Sequence, residues 1–466
     1  MRDSPLSLRD PGGRLVRTQG RILRIVFPEG SGNAQAILHS STVLRWQSEG
    51  RFVQTRELAP TEWPGLPLEA PPATLLEHEA VPFPSYPGEW CPSMLRAAGL
   101  LTLDLASELL EEGLGLKDAT PLNVLFNGSQ PIFVDALSVE VRDSQSPIWF
   151  AYGQFVRTFV LPLIASRHLG WSLRRTFTGA RDGLRPEELY PLLPWRSRLS
   201  SGVFGAVTGP KLLSGLSRRA PSPSIRMDDR RAGFVLRGLL GQLRGAIESQ
   251  VGELPESDWT SYRDPAEHST EYDAVRLEIV ANVIRAHRPG RMLDVGANDG
   301  AFSAMAASLG VDVVAIERDE AVIERALRQG LLRSPRVLPL VVDLTDPTPA
   351  TGWRNEERMS FLERATGGFD LVLCLAVLHH VVIGDGLPLD AAMSLMATMT
   401  RELFVAEFVP VDDPCCHRLA AGRPVPPERW SLPVFEQEAE RHFSILSRHP
   451  VGEHGRVVFV LKLRKA

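Results

Sequence analysis

Apolar residues in the C-terminal half of the chain occur as five short continuous runs separated by helical patterns. The runs are RMLDVG, VDVVAIE, VLPLVVDL, FDLVLCLAV and LFVAEFVP. Continuous apolar runs that alternate with helices are typical of strands buried on both faces of a parallel sheet. Near the C-terminus, FSILSRHP and GRVVFVLKL flank a short VGEH turn, which predicts an antiparallel hairpin at the sheet edge. We therefore predict a doubly wound, mostly parallel α/β sheet of seven strands with an antiparallel terminal hairpin.

The N-terminal half has shorter and less regular patterns. The stretch RLVRTQGRILRIVF predicts short strands that turn at Gly20. Residues 93–112 have a helical pattern, with Ser93 as the expected N-cap and Gly113 as the expected end. Residues 147–250 are helical, irregular and rich in arginine, which is typical of a solvated helical face. We therefore predict an α+β arrangement for this half.

A domain boundary is expected where the chain becomes polar. The segment GELPESDWTSYRDPAEHS, residues 252–269, contains proline and lies between two apolar-patterned regions. Segments of this kind commonly join domains, and a chain of 466 residues is long enough for two cores. We predict an N-terminal domain over residues 1–255 and a C-terminal domain over residues 256–466.

Composition and charge argue against several classes of protein. The formal net charge of −5 implies no overall attraction to nucleic acid or to membranes. The four cysteines lack CxxC spacing and form no disulfide framework, which fits a reducing compartment. The N-terminus lacks an apolar signal region, and LVLCLAVLHHVVI is too short to cross a bilayer. We expect a cytoplasmic protein without a nucleic-acid or membrane partner.

The turn after the first C-terminal strand is rich in glycine. LDVGANDG, residues 293–300, opens the helical segment AFSAMAASLG, so a ligand can approach the backbone and the helix N-terminus. A dinucleotide-binding turn requires G-x-G-x-x-G, whereas this turn reads D-x-G-x-x-x-G from Asp294 to Gly300. An aspartate repels a pyrophosphate and attracts a cation. The sequence therefore favours a cationic ligand over NAD.

Acidic residues also end the next two strands. Glu317 ends the second strand, where a carboxylate can accept both hydroxyls of a ribose. Asp343 ends the third strand, beside the position of a purine amino group. Each acid taken alone is equally explained as a helix cap. Three acids at successive strand ends, however, favour a nucleoside-like ligand.

On these motifs, residues 262–466 resemble the class I S-adenosylmethionine-dependent methyltransferases, which have a Rossmann-like sheet. The resemblance implies methyl transfer with S-adenosylmethionine as the cofactor. It also implies that the first turn holds the amino-acid end of the cofactor, the second-strand acid the ribose and the third-strand aspartate the adenine. The expected cofactor-binding residues are Tyr262, Asp294, Gly296, Ala297, Asn298, Gly300, Glu317, Arg318, Asp343, Leu344 and Leu375.

Two adjacent histidines follow the fourth strand, whose C-terminal end faces the transferred methyl group in the family that the chain resembles. His379 and His380 are candidate bases because histidine titrates near neutrality; alternatively, one of them only hydrogen-bonds the backbone or a substrate loop. Glu407 in the fifth strand is a further candidate base. We expect no metal site, because the vicinal cysteines of DPCCHRL cannot easily chelate one ion together.

The N-terminal half carries a second pattern of acidic residues. In GLKDATPLNVLFNGSQPIFVD, Asp118 precedes Asn123 by five positions, and Asp135 ends the apolar run that follows. Protein kinases place a base and two magnesium ligands in this order, and this half resembles kinase-like folds. However, the first 116 residues contain no lysine, Arg24 is the only substitute for the phosphate-binding lysine, and Leu116 occupies a usual histidine position. We predict a degenerate kinase-like module without phosphate transfer; alternatively, DATPLN is an Asx-rich turn.

Over its full length the chain resembles a bacterial family of nodulation-type two-part methyltransferases. The matching stretches are SYPGEW, the acidic pattern of the N-terminal half, GWRNEERMS and LHH. The resemblance implies methylation of a small-molecule or saccharide-like acceptor, with the N-terminal domain shaping or delivering the substrate. The alternative is a kinase-like phosphotransferase or nucleotide-sensing module fused to a regulated methyltransferase. The acceptor, its reacting atom and the oligomeric state stay open.

Overall fold

The computed structural model divides the chain into two compact units. One unit comprises residues 1–127, 131–255 and 350–359, and the other comprises 128–130, 256–349 and 360–466. The described residues are 4–7, 9–65, 72–214, 226–250, 252, 270–420, 424–452 and 454–464. Most of the segment expected to join the domains, with Tyr262, lies outside them. The expected single cut near residue 255 does not account for residues 350–359, which pack with the first unit.

The first unit begins with an antiparallel sheet and two helices. Its strands are β1 (Ser4–Ser7), β2 (Gly13–Thr18), β3 (Arg21–Val26), β4 (Thr55–Glu57) and β5 (Thr74–His78), in the spatial order β1-β2-β3-β5-β4. Two helices follow the third strand: α1 (Ser31–His39) and α2 (Ser41–Ser48). Leu23 and Ile25 of β3 pack with Leu58 and Leu75 in an apolar cluster. This cluster stabilises the sheet because each of its members is almost fully removed from water.

A mainly helical part follows within the same unit. It contains α3 (Pro92–Leu109), the strand pairs β6 (Leu114–Leu116) with β9 (Val139–Val141) and β7 (Val124–Asn127) with β8 (Gln130–Phe133), and the helices α4 (Tyr152–Phe155), α5 (Leu161–Leu169), α6 (Leu173–Gly179), α7 (Pro186–Leu189), α8 (Ser201–Val203), α9 (Gly209–Ser214) and α10 (Asp229–Glu248). The sequence predicted Ser93 as the N-cap of α3, but the N-cap is Cys91 and the helix begins at Pro92. Proline suits this first helical position because it needs no amide hydrogen there. Gly113 ends the helical run with φ +70°, as predicted.

The second unit is built on a seven-stranded mixed sheet. Its strands are β10 (Arg291–Val295), β11 (Asp312–Glu317), β12 (Val337–Val341), β13 (Phe369–Cys374), β14 (Thr400–Phe408), β15 (Phe443–Val451) and β16 (Arg456–Leu463). The spatial order is β12-β11-β10-β13-β14-β16-β15, and only the last two strands run antiparallel to their neighbours. The predicted Rossmann-like sheet with its terminal hairpin is confirmed.

Burial along the strands explains why this pattern was visible in the sequence. Every residue of β12 is buried, whereas the edge strand β15 alternates between buried or half-buried and exposed positions. Alternation of that kind is typical of a strand with one face in water. The helices are α11 (Thr270–His287), α12 (Ala301–Ser308), α13 (Glu320–Arg328), α14 (Phe361–Ala365), α15 (Leu389–Met399), α16 (Pro414–Ala420) and α17 (Leu432–His442).

The sheet has a switch point at β10, which pairs with β11 on one side and β13 on the other. Ligands of open parallel sheets bind outside the carboxyl ends of the strands at such a point. The fold therefore directs attention to the residues that follow β10, β11, β12 and β13. Among the described residues, no helix is both long enough and apolar enough to cross a membrane.

Candidate active site

A cavity of about 180 Å³ lies at the carboxyl ends of these four strands. Most of the residues that the sequence analysis assigned to the cofactor line it, and one of the two candidate histidines does so as well. The predicted residues in its wall are Asp294, Gly296, Ala297, Asn298, Glu317, Arg318, Asp343, Leu344, Leu375 and His380. Gly300, His379 and Glu407 are not part of the wall.

The glycine-rich turn is fixed by the neighbouring strand. The backbone amides of Gly296 and Ala297 both donate to the carbonyl of Ile316, at 2.9 and 3.0 Å. Gly296 has φ +72°, and a Cβ atom there would lie 2.4 Å from Cγ2 of Val377. Gly300 has φ +82°, and a Cβ atom there would lie 2.2 Å from Leu332. Both glycines are therefore required by backbone conformation and close packing, and Gly300 acts without lining the cavity.

Asp294 is a buried carboxyl at the start of this turn. Its Oδ2 accepts a hydrogen bond of 2.6 Å from the hydroxyl of Ser303, and the residue is only 3% exposed. Burial, and secondarily the charges of Glu317 and Asp299, raise the pKa of Asp294 to about 6. Ionised Asp294 is thus disfavoured by its surroundings, and a cation in the cavity would relieve that cost.

Glu317 is held by the backbone on both of its oxygens. Oε2 accepts from the amide of Asn298 and Oε1 accepts from the amide of Asp319, each at 3.2 Å. Burial raises the pKa of this carboxyl, while the backbone hydrogen bonds oppose the rise. Two amide contacts fix the orientation of the group and leave lone pairs for hydroxyl donors of a ligand.

Asp343 combines a structural contact with a place in the cavity wall. Its Oδ1 accepts from the amide and the hydroxyl of Thr345, at 2.9 and 2.7 Å, so it caps the turn after β12. Arg318 lies between Asp343 and Asp385, with ion-pair distances of 3.9 and 3.5 Å. The helix-cap alternative and the ligand-binding prediction are therefore compatible at this residue.

The two histidines differ in their relation to the cavity. His380 lies in the wall, and burial, together with the nearby charge of Arg318, lowers its pKa to about 4. His379 is 1% exposed, its pKa is held well below the usual value by burial, and neither of its ring nitrogens has a hydrogen-bond partner among the described residues. Both imidazoles are neutral near pH 7, but only His380 lies in the cavity wall.

Glu407 lies behind the cavity wall rather than in it. The residue is fully buried, accepts a hydrogen bond from the hydroxyl of Tyr272, and forms an ion pair of 3.1 Å with Arg276. Arg456 is 3.8 Å away on the other side. A carboxylate enclosed in this way cannot contact an acceptor in the cavity, so the geometry does not favour its predicted role as a base.

Several residues of the wall were not assigned from the sequence. They are Asp273, Arg276 and Leu277 of α11, Asp299, Phe302 of α12, and Ala376, Val377 and Asp385 after β13. The helix α11 was predicted, but nothing in its sequence showed which face meets the cavity. Ala376 has φ +52°, a backbone conformation that an alanine in the sequence does not predict. Among the described residues, no group of three or more His, Cys, Asp or Glu side chains is arranged to hold a metal ion.

The acidic pattern of the first unit forms a compact loop. The side chain of Asn123 donates to the carbonyl of Asp118 at 3.3 Å, and Arg24 pairs with Asp135 at 3.0 Å. Burial, and then the charge of Asp135, raise the pKa of Asp118. Lys117 pairs with Asp10 at 3.2 Å. The three residues of the predicted pattern thus lie together, and the strand arginine neutralises the last of them.

The chemistry of the cavity wall fits S-adenosylmethionine. Six carboxyl groups contribute to the wall against two arginines; the acids are Asp273, Asp294, Asp299, Glu317, Asp343 and Asp385. An acidic wall favours a ligand with positive charge. A buried carboxyl with a raised pKa gains most from a cation nearby, and the oriented Glu317 suits a ribose diol.

Comparison with known proteins agrees with this geometry. A family model described as a methyltransferase domain matches residues 266–450. Over 464 residues the chain is 28% identical to the nodulation protein NoeA of Rhizobium meliloti (strain 1021). The aligned region covers 98% of this chain and 95% of NoeA. The predicted activity and cofactor are confirmed: the chain is an S-adenosylmethionine-dependent methyltransferase.

Two solved structures resemble part of the chain. The N-methyltransferase NodS of Bradyrhizobium japonicum WM9 is 15% identical, covering 42% of this chain and 99% of NodS with a TM-score of 0.32. Magnesium protoporphyrin IX methyltransferase of Synechocystis PCC 6803, with bound S-adenosylmethionine, is 17% identical, covering 46% of this chain and 100% of that one with a TM-score of 0.28.

Proposed function

We propose that this S-adenosylmethionine-dependent methyltransferase transfers its methyl group to a small-molecule, saccharide-like acceptor, with the N-terminal unit shaping or delivering the substrate. One observation carries the proposal for the site: Asp294, Glu317 and Asp343 lie at or just beyond the carboxyl ends of three adjacent parallel strands and line one cavity. The similarity to a nodulation protein across almost the whole chain supports a shared class of acceptor. That similarity includes the N-terminal unit, which supports a role for it in handling the acceptor.

In this proposal each part of the wall has a distinct binding role. The turn from Asp294 to Gly300 holds the amino-acid end of the cofactor, Glu317 accepts the two ribose hydroxyls, and Asp343 accepts from the adenine amino group. Arg318, which pairs with both Asp343 and Asp385, fixes the wall at the adenine end. Tyr262 stays a prediction outside the described residues.

His380 is the proposed proton acceptor. When bound, S-adenosylmethionine supplies a methyl group that its positively charged sulfur makes reactive. The chain itself aligns the acceptor with that group, holding the reacting atoms about 3 Å apart. A neutral imidazole in the wall can take the acceptor's proton, and the low pKa of His380 keeps it neutral throughout the physiological range. In this proposal His379 and Glu407, which are buried outside the cavity wall, have a structural role.

We infer that the N-terminal unit has a kinase-like arrangement and transfers no phosphate. The strand order of its sheet, the helices after the third strand and the convergence of Asp118, Asn123 and Asp135 support the likeness. Against phosphate transfer, Arg24 stands at the strand position that needs a lysine and is already paired with Asp135. The second candidate function, a phosphotransferase or nucleotide-sensing module that regulates the methyltransferase, rests on the same likeness.

We propose that residues 1–255 and 256–466 act as the two domains. All residues that line the cavity belong to the second unit, which supports a cofactor-binding domain in the C-terminal half. Residues 350–359 are an exception to this boundary, because they pack within the first unit. Glu357 in this segment is 6% exposed and pairs with Arg9 at 3.1 Å.

The cofactor assignment is tested by calorimetry with S-adenosylhomocysteine on the full chain. We expect Glu317→Ala to weaken binding by about 1–3 kcal/mol, the cost of leaving charge-assisted hydrogen bonds unmade. Asp312→Ala is the matched control, because Asp312 lies on the same strand at its opposite end, where it pairs with Arg336 on the surface. Unchanged affinity in Glu317→Ala, or an equal loss in both variants, would refute the assignment.

A further inference from the structure

Arg276 of α11 is a buried cation in the wall of the cofactor cavity. It is 8% exposed, and its guanidinium donates from Nη1 to Glu407 at 3.1 Å and from Nη2 to Asp273. The same guanidinium lies over the ring of Tyr272, 4.1 Å from its centre. These three contacts leave the side chain little freedom to move.

The partners of Arg276 are themselves fixed by further buried contacts. Arg456 of β16 donates to the hydroxyl of Tyr272 at 2.7 Å and forms a two-point ion pair with Asp413, at 2.7 and 2.9 Å. The resulting network joins α11, the end of β14 and the last strand of the sheet. If Arg276 moved away from its partners, a buried charge would be left without compensation, which is unfavourable. The network therefore holds Arg276 in one position.

The charged residues of the cavity wall indicate which ligand group Arg276 can bind. Among the described residues that line the cavity, the only arginines or lysines are Arg276 and Arg318. Arg318 is paired with Asp343 and Asp385, at the adenine end proposed above. A negatively charged ligand group would be repelled by the remaining acidic wall. Each arginine pairs with two acids, so their positions, and not their charges, distinguish them. Arg276 lies 5.6 Å from the ring centre of Phe302, in the helix that follows the glycine-rich turn, and is therefore the cation placed for an anionic group at that end of the cavity.

We propose that Arg276 binds the α-carboxylate of the cofactor's amino-acid part, and that Glu407 is a positioning residue that holds Arg276 in place. This inference rests on the proposed function, since it uses the orientation in which the turn after β10 holds the amino-acid end. It assigns Glu407, which the sequence made a candidate base, to cofactor binding through Arg276. Arginine suits the role because its planar guanidinium can serve two internal acids and still offer N–H donors to a third carboxylate.

The experiment compares two ligands that differ in the carboxylate. Calorimetry on the full chain measures S-adenosylhomocysteine and its decarboxylated analogue, which keeps the nucleoside, the thioether and the amine. We expect Arg276→Gln to weaken S-adenosylhomocysteine roughly 10- to 100-fold and to change the analogue less than about twofold. Arg318→Gln is the matched control, for which we expect the affinity ratio of the two ligands to stay unchanged.

Glu407→Gln separates positioning from proton transfer. We expect the same selective loss for S-adenosylhomocysteine, smaller in size, and no further loss when Glu407→Gln is added to Arg276→Gln. At saturating cofactor, the pH profile of kcat should keep its shape in Glu407→Gln. A profile that loses its acidic limb would identify Glu407 as a base and overturn this part of the proposal.

The remaining outcomes are also decisive. Equal weakening of both ligands by Arg276→Gln would make Arg276 a structural residue, and no weakening of either would place the carboxylate elsewhere. Absence of binding of both ligands to the unmodified chain would instead refute the proposed cofactor site. If thermal melting shows that Arg276→Gln is not folded, Arg276→Lys is measured with the same ligand pair, and an unchanged ligand ratio then overturns the proposal.

Discussion

Acidic residues lie at or just beyond the ends of strands in both units of the molecule, but their surroundings differ. In the first unit, Asp135 follows β8 and pairs at 3.0 Å with Arg24, whose side chain is 5% exposed. In the second unit, Asp294 near the end of β10 bonds to the hydroxyl of Ser303, and its pKa is raised to about 6. Within the described residues, no arginine or lysine forms an ion pair with Asp294.

This difference separates an acid whose charge is used within the fold from the acid that we propose binds a ligand. The charge of Asp135 is balanced inside the protein, so a cation from solution gains little there. The charge of Asp294 is penalised by burial and is balanced by no arginine or lysine of the described residues, so a cation in the cavity would gain more there than beside Asp135. A strand-end acid in the sequence is therefore an ambiguous signal, and its internal partner decides which role it has.

The largest expected effect concerns the proton acceptor beside the acidic cavity. His380→Asn should lower kcat by about 10²-fold, the low end of the usual contribution of a general base, because a pKa of about 4 makes the ring a weak base. The affinity for S-adenosylhomocysteine should change little. His379→Asn is the matched control, because the neighbouring ring does not line the cavity. We expect it to affect thermal stability more than kcat. An equal fall of kcat in both variants, or in neither, would remove His380 from the mechanism.

The sequence could predict the parts of the site that depend on strand order. Continuous apolar runs mark strands such as β12, and residues at the ends of parallel strands meet at one edge of a sheet. Strand order alone therefore predicts that Asp294, Glu317 and Asp343 lie close together, and all three line one cavity. This edge of the sheet could be predicted from local sequence, because it depends only on the direction of the strands and on which of their residues are buried.

Contacts that depend on tertiary packing could not be predicted in the same way. Arg276 looks like any other charged residue of an amphipathic helix, and its meeting with Glu407 joins positions 131 residues apart. Likewise, no pattern in the sequence indicates that residues 350–359 pack within the first unit. Such contacts depend on how whole elements assemble, and periodicity carries no information about that step.

The second expected effect is a pH dependence of cofactor affinity that belongs to Asp294. Burial raises the pKa of this carboxyl from 3.8 to about 6, so the folded protein without ligand binds the proton more tightly than the unfolded chain does. The associated stability is present at low pH and is lost as the pH rises through about 6. A cationic ligand favours the ionised form, so affinity for S-adenosylmethionine should fall up to about tenfold per pH unit below pH 6.

Calorimetry between pH 5 and pH 7.5 measures this dependence. The window lies above the pKa of His380, which is about 4, so that ring stays neutral throughout. Asp294→Asn should bind more weakly at pH 7 and should lose most of the slope, with a remainder from Glu317, whose pKa is also raised. A slope that is unchanged in Asp294→Asn would show that another group takes up the proton, and the contrast with Asp135 would lose its basis.

The smallest expected effect on methyl transfer comes from the paired acid of the first unit. Asp135→Asn should leave kcat within about twofold, because Asp135 belongs to the other unit and its charge is used by Arg24. Its cost should appear in stability instead. Arg24 becomes a buried cation without its carboxylate, which costs about 3–5 kcal/mol when a pair is fully buried. Since the side chain of Asp135 is 24% exposed, we expect about 1–3 kcal/mol in denaturant unfolding.

The matched control for Asp135→Asn is Asp143→Asn, which removes an exposed ion pair with Arg226 in the same unit and should cost less than about 1 kcal/mol. The same variants test whether the first unit transfers phosphate. Kinase chemistry requires a group that holds the phosphates while magnesium neutralises the developing charge, and Arg24 is already engaged with the acid that would bind magnesium. Turnover of Mg-ATP in the presence of the acceptor, abolished by Asp135→Asn and kept in Asp143→Asn, would show instead that Asp135 binds a ligand, the role that we propose for Asp294.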